Sequence, residues 1–277
     1  MSRIAPQRDT LRVTVGESAT HRRDTLAGEE PLEIRVDGTS LAVTMRTPGA
    51  DFDLAAGFLV SEGVVSKKDE LVAMRYCAGK GDDGVNQFNV LDLTLAPSVA
   101  PPDESVARAF FTTSSCGLCG KASIDAVRTR SRFDVHDDPL KVSSKVLASL
   151  PAQLREAQQV FEKTGGLHAA GLFDSSGGLL VLREDVGRHN AVDKVVGWAL
   201  REDKLPLRET ILLVSGRASF ELVQKAAMAG VPMLCAISAP SSLAADLADE
   251  IGVTLVGFLR DPSMVVYAGA ERVTDRD

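Results

Sequence analysis

Residues 211–258 read ILLVSGRASFELVQKAAMAGVPMLCAISAPSSLAADLADEIGVTLVGF. Short apolar runs, typical of buried strands, alternate there with longer segments that carry apolar residues at helical spacing. The predicted strands are 211–214, 233–237 and 253–258, and the predicted helices are 188–204, 217–229 and 241–250. Strands that alternate with helices predict a parallel or mostly parallel sheet with helical crossovers, and therefore an α/β fold.

The first third of the chain is richer in strand patterns. Segments 31–36 and 41–45 flank Asp37-Gly38, a dipeptide that tolerates positive φ, and predict a hairpin. The other predicted elements are helices at 51–62 and 143–163, the latter restarted at Pro151, strands at 71–76 and 85–95, and a hairpin of strands 167–173 and 179–183. We therefore predict a smaller β-rich part over residues 1–105 and an α/β part over residues 106–277.

Composition excludes several classes of protein. The chain has 277 residues, 44% hydrophobic and 25% charged, which is ordinary for a folded globular protein and unlike a disordered one. Its formal net charge of −7 and its lack of a basic block argue against nucleic acid as a partner. No apolar run is long enough for a membrane span and no secretory leader precedes the fold, so we expect a soluble, cytoplasmic protein.

Cys116-Gly117-Leu118-Cys119 is the sharpest chemical motif. The pair lies in a polar, glycine-containing loop, and Lys121 adds positive charge beside it. A turn that leads into a helix would stabilise a thiolate, which can exchange with a second thiol or accept a persulfide. Half of a zinc site and an inert pair of thiols are the alternatives. Because a closed zinc site needs four ligands and there is no second CxxC, we predict no metal.

A second cluster of polar residues lies in the segment 184–194. The apolar stripe of the predicted helix leaves Arg188, His189 and Asn190 together in its first turn, where an anion or a polar heterocycle would fit. The alternative is structural: Asp185 caps the helix and His189 pairs with a residue four positions on, Asp193.

Two serine-rich turns follow predicted strands. Segments 215–219 and 238–242 each lead into a helix at the carboxyl end of a strand, which is where open α/β sheets bind nucleotides. Serine is also a routine helix cap, so either turn alone is weak support. His168 invites comparison with zinc deaminases, but Ala170 stands where their catalytic glutamate would be, which disfavours deamination.

The sequence resembles those of a known family, the FdhD formate dehydrogenase accessory sulfurtransferases. The resemblance extends from about residue 30 to about residue 270, and several separate motifs occur in the family's order. The matching segments are 45–49, 51–59, 115–121, 164–171, 184–194, 215–217 and 255–258.

The resemblance implies a sulfur relay. A cysteine desulfurase would pass sulfur to Cys116 as a persulfide, with Cys119 as its partner thiol, and the sulfur would go to a molybdenum or tungsten bis-guanine-dinucleotide cofactor used by formate dehydrogenase. It also implies a cytidine deaminase-like α/β core and a homodimer. The family's cofactor-binding segment corresponds here to Phe258, Leu259, Arg260, Asp261, Pro262 and Ser263.

The residues and the resemblance together predict one pocket. We expect Ser215, Arg217, Arg260 and His189 to line a cleft on the Cys116 side of the molecule. The main alternative is a chaperone that binds the molybdenum cofactor and the apo-dehydrogenase, with a CxxC that is structural or redox-sensing. A thioredoxin-like oxidoreductase is weaker, because the CxxC does not follow a recognisable first strand of a βαβ unit.

Overall fold

The computed structural model describes residues 3–77, 88–102 and 131–275. The amino-terminal half holds a two-stranded ribbon and a four-stranded sheet with the strand order β4-β3-β6-β5. Its elements are β1 (Gln7–Arg12), β2 (Thr20–Thr25), β3 (Glu30–Val36), β4 (Thr39–Arg46), α1 (Asp51–Ser61), β5 (Leu71–Tyr76) and β6 (Val90–Leu95).

The carboxyl-terminal half is built on a six-stranded sheet with the strand order β13-β12-β11-β10-β8-β9. A short pair, β7 with β14, lies beside it. The elements are β7 (Val142–Ser143), α2 (Ser144–Ala157), α3 (Gln159–Thr164), β8 (His168–Asp174), β9 (Leu179–Asp185), α4 (Arg188–Arg201), β10 (Thr210–Val214), α5 (Phe220–Met228), β11 (Met233–Ala236), α6 (Ser242–Glu250), β12 (Thr254–Arg260), β13 (Ser263–Ala268) and β14 (Val273–Thr274).

The predicted hairpins and helices are confirmed where the pattern is local. Strands β3 and β4 pair antiparallel around Asp37 and Gly38, which have φ values of 49° and 82° and so adopt the left-handed turn that this dipeptide permits. The hairpin of β8 and β9 is also present. The mixed α/β fold class is confirmed.

The predicted parallel pairing is confirmed for the three strands from which it was inferred, since β10 pairs parallel with β11 and β11 pairs parallel with β12. The six-stranded sheet as a whole is mixed, because β8 pairs antiparallel with β10 and with β9, and β13 pairs antiparallel with β12. The reason lies in the hairpin of β8 and β9. Strand β9 joins β10 through α4 as a helical crossover, and β8 inserts between the two with reversed direction, a pairing that no local pattern specifies.

The predicted restart of the helix at Pro151 is also wrong. Helix α2 passes through Pro151 and ends at Ala157. Buried leucines on both sides of the proline, at positions 147, 150 and 154, hold the helix against the sheet despite the missing N–H group. The chain breaks instead at Gln158, after which the Glu184 carboxylate accepts the first N–H groups of α3.

Helices α1 and α4 lie in contact between the two larger sheets. Gly57 and Gly197 face each other there, and a Cβ atom on either would overlap a backbone carbonyl of the other helix, at Asp193 or Asp53. A single buried apolar cluster extends from strands of the four-stranded sheet to strands of the six-stranded sheet. The predicted division at residue 105 lies outside the described residues. No helix in the described ranges is long and apolar enough to cross a membrane.

Candidate functional site

Three loops meet at the carboxyl edge of the parallel strands. After β10 and β11, Ser238 N–H donates to the carbonyl of Gly216 (3.3 Å), and Ser241 N–H donates to that of Ala218 (3.0 Å). Near the end of the next strand, β12, the N–H of Phe258 donates to the carbonyl of Ser238 (3.1 Å). The two serine turns and the end of β12 are therefore one continuous surface, as the strand order predicted.

Reversed strand β8 brings His168 to the same edge. Ser215 joins β8 through two hydrogen bonds: its N–H donates to the carbonyl of Ala169, and its hydroxyl accepts the N–H of Ala169, both at 2.9 Å. A Cβ atom on Gly216 would lie 3.4 Å from His168 Nδ1, so the glycine leaves one side of the imidazole open. Burial lowers the pKa of His168, and the charge of Arg188 lowers it further.

Half of the motif at 184–194 is structural. The buried Asp185 carboxylate lies 2.7 Å from Lys194 Nζ. It also accepts the N–H of Thr47 (3.1 Å), the N–H of Gly187 (2.8 Å) and the side-chain amide of Asn190 (3.0 Å). Asp185, Asn190 and Lys194 therefore fix the start of α4 to the segment after β4, and they are not available to a ligand.

Asp193 belongs to a second buried pair. Both of its carboxylate oxygens lie 2.8 Å from Lys225 Nζ on α5, and one accepts the hydroxyl of Ser61 on α1 at 2.6 Å. The predicted pairing of His189 with Asp193 is therefore wrong. The spacing of residues along α4 does not predict that Lys225, on another helix, pairs with Asp193.

His189 turns instead toward the loop after β10. Its Nε2 lies 3.3 Å from the hydroxyl oxygen of Ser219 and 3.8 Å from the carboxylate of Glu221. Burial, with the charges of Lys225 and Arg188, lowers the pKa of His189 to about 4, so its ring is neutral at physiological pH. No sequence motif pointed to Glu221.

Three arginines differ in their surroundings. The Nε atom of Arg188 is buried and has no hydrogen-bond partner. Arg217 and Arg260 are exposed, and the Arg260 guanidinium lies 5.9 Å from the centre of the Phe258 ring. Free N–H donors at this edge suit an anionic ligand.

Segment 258–263 continues the sheet. The last strand was predicted to end at Phe258, but β12 extends to Arg260, and Asp261-Pro262 connects it to β13. Phe258 lies at an irregularity of the β12–β13 pairing and has a φ of 49°. Leu259 is fully buried, so only its backbone can meet a ligand. Asp261, Pro262 and Ser263 are exposed.

The cysteines divide into two groups. Cys116 and Cys119 lie outside the described residues, so their meeting with the edge loops stays a prediction. Cys235 is fully buried on β11, and burial raises the pKa of its thiol, while Cys77 is half-buried after β5. In the part of the chain that the structure describes, no group of three His, Cys, Asp or Glu side chains is placed to hold a metal.

Comparison with known proteins identifies the family. The sequence model of the FdhD/NarQ family matches residues 27–274, which is most of the chain. The chain belongs to the FdhD/NarQ family. The resemblance drawn from the motifs is thereby confirmed.

FdhD/NarQ relatives match this chain from end to end. "Sulfur carrier protein FdhD" of Streptomyces avermitilis is 60% identical over 277 residues, covering 100% of this chain and 98% of the relative. The protein of the same name from Mycolicibacterium paratuberculosis is 58% identical over 270 residues, covering 98% and 99%. A crystal structure from Desulfotalea psychrophila, described as that of a formate dehydrogenase accessory protein, matches with a TM-score of 0.76 at 22% identity, covering 98% and 99%. This structural likeness shows a shared FdhD/NarQ fold.

Proposed function

We propose that this protein is a sulfur carrier that serves a formate dehydrogenase. The observation that carries the proposal is the match, at 60% identity over 100% of the chain, to a protein named as a sulfur carrier. The CxxC at Cys116 and Cys119 supplies thiol chemistry suited to this role.

Cys116 is the proposed sulfur acceptor. Its thiolate attacks the terminal sulfur of a cysteine desulfurase persulfide, a sulfur–sulfur bond forms at Cys116, and the desulfurase leaves as a thiolate. Transfer of the outer sulfur to the cofactor then breaks the sulfur–sulfur bond, and Cys116 leaves as a thiolate while the cofactor takes up the sulfur at the sulfane level. Cys119 is the neighbouring thiol that assists in accepting or releasing it. The protein thus acts as a sulfurtransferase with a cysteine persulfide intermediate.

The proposed receiver is a molybdenum or tungsten bis-guanine-dinucleotide cofactor, bound as a substrate. The free Nε of Arg188 and the open side of His168 at the strand edge support an anionic ligand there. Exposed Arg217 and Arg260 add positive charge, and Ser215 holds the loop after β10 in place. His189, being neutral, can donate or accept a hydrogen bond without adding charge.

The proposal extends to the protein's partners and location. A cysteine desulfurase donates the sulfur, the formate dehydrogenase receives the sulfurated cofactor, and both exchanges take place in the cytoplasm. We further propose that the protein is a homodimer. Size-exclusion chromatography with light scattering tests this last point, and a monomer at micromolar concentration would contradict it.

The first experiment measures sulfur loading. The purified full chain is incubated with a cysteine desulfurase and cysteine, and its intact mass is recorded before and after addition of a reductant. A reducible gain of about 32 mass units, one sulfur atom, is expected in the wild type and in Cys77→Ser, a matched control outside the CxxC, and is expected to vanish in Cys116→Ala. No gain in the wild type, with an active desulfurase, would favour a cofactor chaperone.

A further inference from the structure

Strand β5 is an open edge of the four-stranded sheet, because among the described strands it pairs with β6 alone. The N–H of Cys77, just after β5, donates to the carbonyl of Val90 on β6 at 2.9 Å. Backbone groups alternate in direction along an antiparallel strand, so those of Tyr76 and Met74 face away from β6. Their N–H and carbonyl groups have no hydrogen-bond partner within the described ranges.

This edge carries little of the protection that sheet edges usually have. Lysine, proline or a bulge commonly prevents an edge strand from pairing with another chain. Strand β5 contains no lysine or proline, and the irregularity in its pairing lies between Leu71 and Ala73, before the free backbone groups. The apolar side chain of Val72 beside them is 63% exposed. The segment from Ala73 to Tyr76 is therefore a regular edge that can accept a further strand.

An open cavity of about 300 Å³ adjoins the β5 edge. Its walls are largely apolar and consist of Phe52, Leu71, Val72, Ala73, Met74 and Arg201. The volume is at the lower limit for ligand pockets, so the cavity suits one large apolar side chain and cannot enclose a molecule as large as a dinucleotide.

The cavity wall also carries an uncompensated positive charge. Arg201 and Arg183 both pair with the buried carboxylate of Asp53, so two guanidinium groups share one negative charge. The side chain of Arg201 is 43% exposed, which leaves N–H donors accessible from the cavity. Lys68 and Glu202 line the continuation of the cavity and carry opposite charges that offset each other. The remaining charge favours an anionic group on the ligand, and a carboxylate matches the guanidinium fork.

We propose that the β5 edge binds an extended peptide segment of a partner protein as a further strand. The backbone of such a segment supplies acceptors and donors for the free groups of Met74 and Tyr76. Its side chains alternate in direction, so a large apolar residue enters the cavity and a nearby Asp or Glu reaches Arg201. Main-chain hydrogen bonds provide affinity, while the cavity and the arginine select the sequence. The inference does not rest on the proposed sulfur transfer.

Peptide selection on the full chain tests the proposal. The probe is a displayed library of random dodecapeptides, and we expect enrichment of sequences that combine a large apolar residue with Asp or Glu. An enriched peptide is then synthesised with a fluorescent label, and its Kd is measured by fluorescence anisotropy. Two copies are N-methylated on one or the other set of alternate amides. One copy should bind about tenfold more weakly than the other, because a strand directs only alternate amides to its neighbour.

Variants of the protein locate the bound peptide. Val72→Glu places a negative charge beside Arg201 and should weaken binding about fivefold, whereas Val72→Lys removes the same exposed apolar side chain and should bind the acidic peptide more tightly than Val72→Glu does. Arg201→Gln should weaken binding about two- to fivefold. Arg155→Gln removes a half-exposed, ion-paired arginine from α2 and should bind as the wild type does.

Each result decides the inference. Failure of the library to yield an enriched peptide would overturn it, as would equal affinity of the peptide for the wild type and for folded Val72→Glu and Arg201→Gln. Equal affinities of the two N-methylated copies would show that the peptide does not bind as a strand. Circular dichroism establishes that the variants are folded. Sulfur loading on Cys116 is measured separately, so failure of peptide binding is distinguishable from failure of the sulfur carrier function.

Discussion

The Asp185 carboxylate and the Lys194 ammonium lie 2.7 Å apart, and both side chains are almost completely buried. The same carboxylate accepts the N–H of Thr47, and Lys194 donates to the carbonyl of Thr47 at 2.9 Å. One ion pair therefore joins the segment after the four-stranded sheet to the first turn of α4. This ion pair therefore determines the positions of Arg188 and His189.

Asp185→Asn should destabilise the protein by about 3–5 kcal/mol, because it leaves the Lys194 ammonium buried without its counter-ion. Asp185→Asn combined with Lys194→Met should recover part of that loss, since neither charge then remains. Urea unfolding followed by circular dichroism gives the free energies. Arg155→Gln, which removes an exposed pair with Glu162, is the control and should change stability by less than about 1 kcal/mol. A loss below that level in Asp185→Asn would contradict the prediction.

Gly57→Ala and Gly197→Ala should each destabilise the protein by about 3 kcal/mol or more, because the added methyl group overlaps a carbonyl of the opposite helix and forces α1 and α4 apart. Gly216→Ala is a suitable comparison. Its added Cβ would meet only ordinary contacts, 3.4 Å from His168, so we expect a change below about 1 kcal/mol in the same thermal or urea measurement. Similar losses in all three variants would refute a close helix crossing.

Acidification should destabilise the protein through His189. Its folded pKa of about 4 lies below the ordinary value of 6.5, so the unfolded chain takes up this proton first as the pH falls. The stabilising contribution is complete above about pH 6.5 and is lost as the pH falls toward 4. NMR titration of the imidazole signals, assigned with His189→Asn, should show this ring still neutral at about pH 6, where an unperturbed histidine is mostly protonated. A midpoint near 6.5 would show that burial and Lys225 do not act as the structure indicates.

Arg217→Gln and Arg260→Gln should leave the fold intact and weaken the proposed cofactor site. Both side chains are exposed, so we expect the free energy of unfolding to change by less than about 0.5 kcal/mol. Each lost charge should raise the cofactor concentration needed for half-maximal activation of the dehydrogenase about two- to fivefold, the range for solvent-exposed charge contacts. Sulfur loading on Cys116 should not change. Activation at wild-type cofactor concentrations would exclude both arginines from the site.

Local patterns predicted most of the fold. The Asp37-Gly38 turn and the helix that begins at Asp51 needed only short-range information, namely a dipeptide that permits positive φ and apolar residues at helical spacing. The serine turns were placed on one edge because parallel strands end together. The hydrogen bonds from Ser238 to Gly216 and from Phe258 to Ser238 follow from that rule.

The structural features that the sequence did not predict depend on contacts between residues that are distant in the chain. Reversal of β8 is decided by its pairing with both β9 and β10, and it alone brings His168 to the edge. Asp193 pairs with Lys225, which lies 32 positions away, so helical spacing misassigned its partner. The sequence analysis singled out the 184–194 motif for its polar residues. Which of these residues are buried anchors depends on which face of α4 the Thr47 segment covers.

The antiparallel direction of β8 affects the order in which parts of the fold can form during synthesis. The edge loops draw on residues from His168 to Arg260, and β8 needs β10 beside it before His168 and Ser215 can meet. A chain leaves the ribosome from its amino terminus, so the four-stranded sheet can form long before the edge exists. A nascent protein therefore displays no assembled ligand edge until the segment through β12 has emerged.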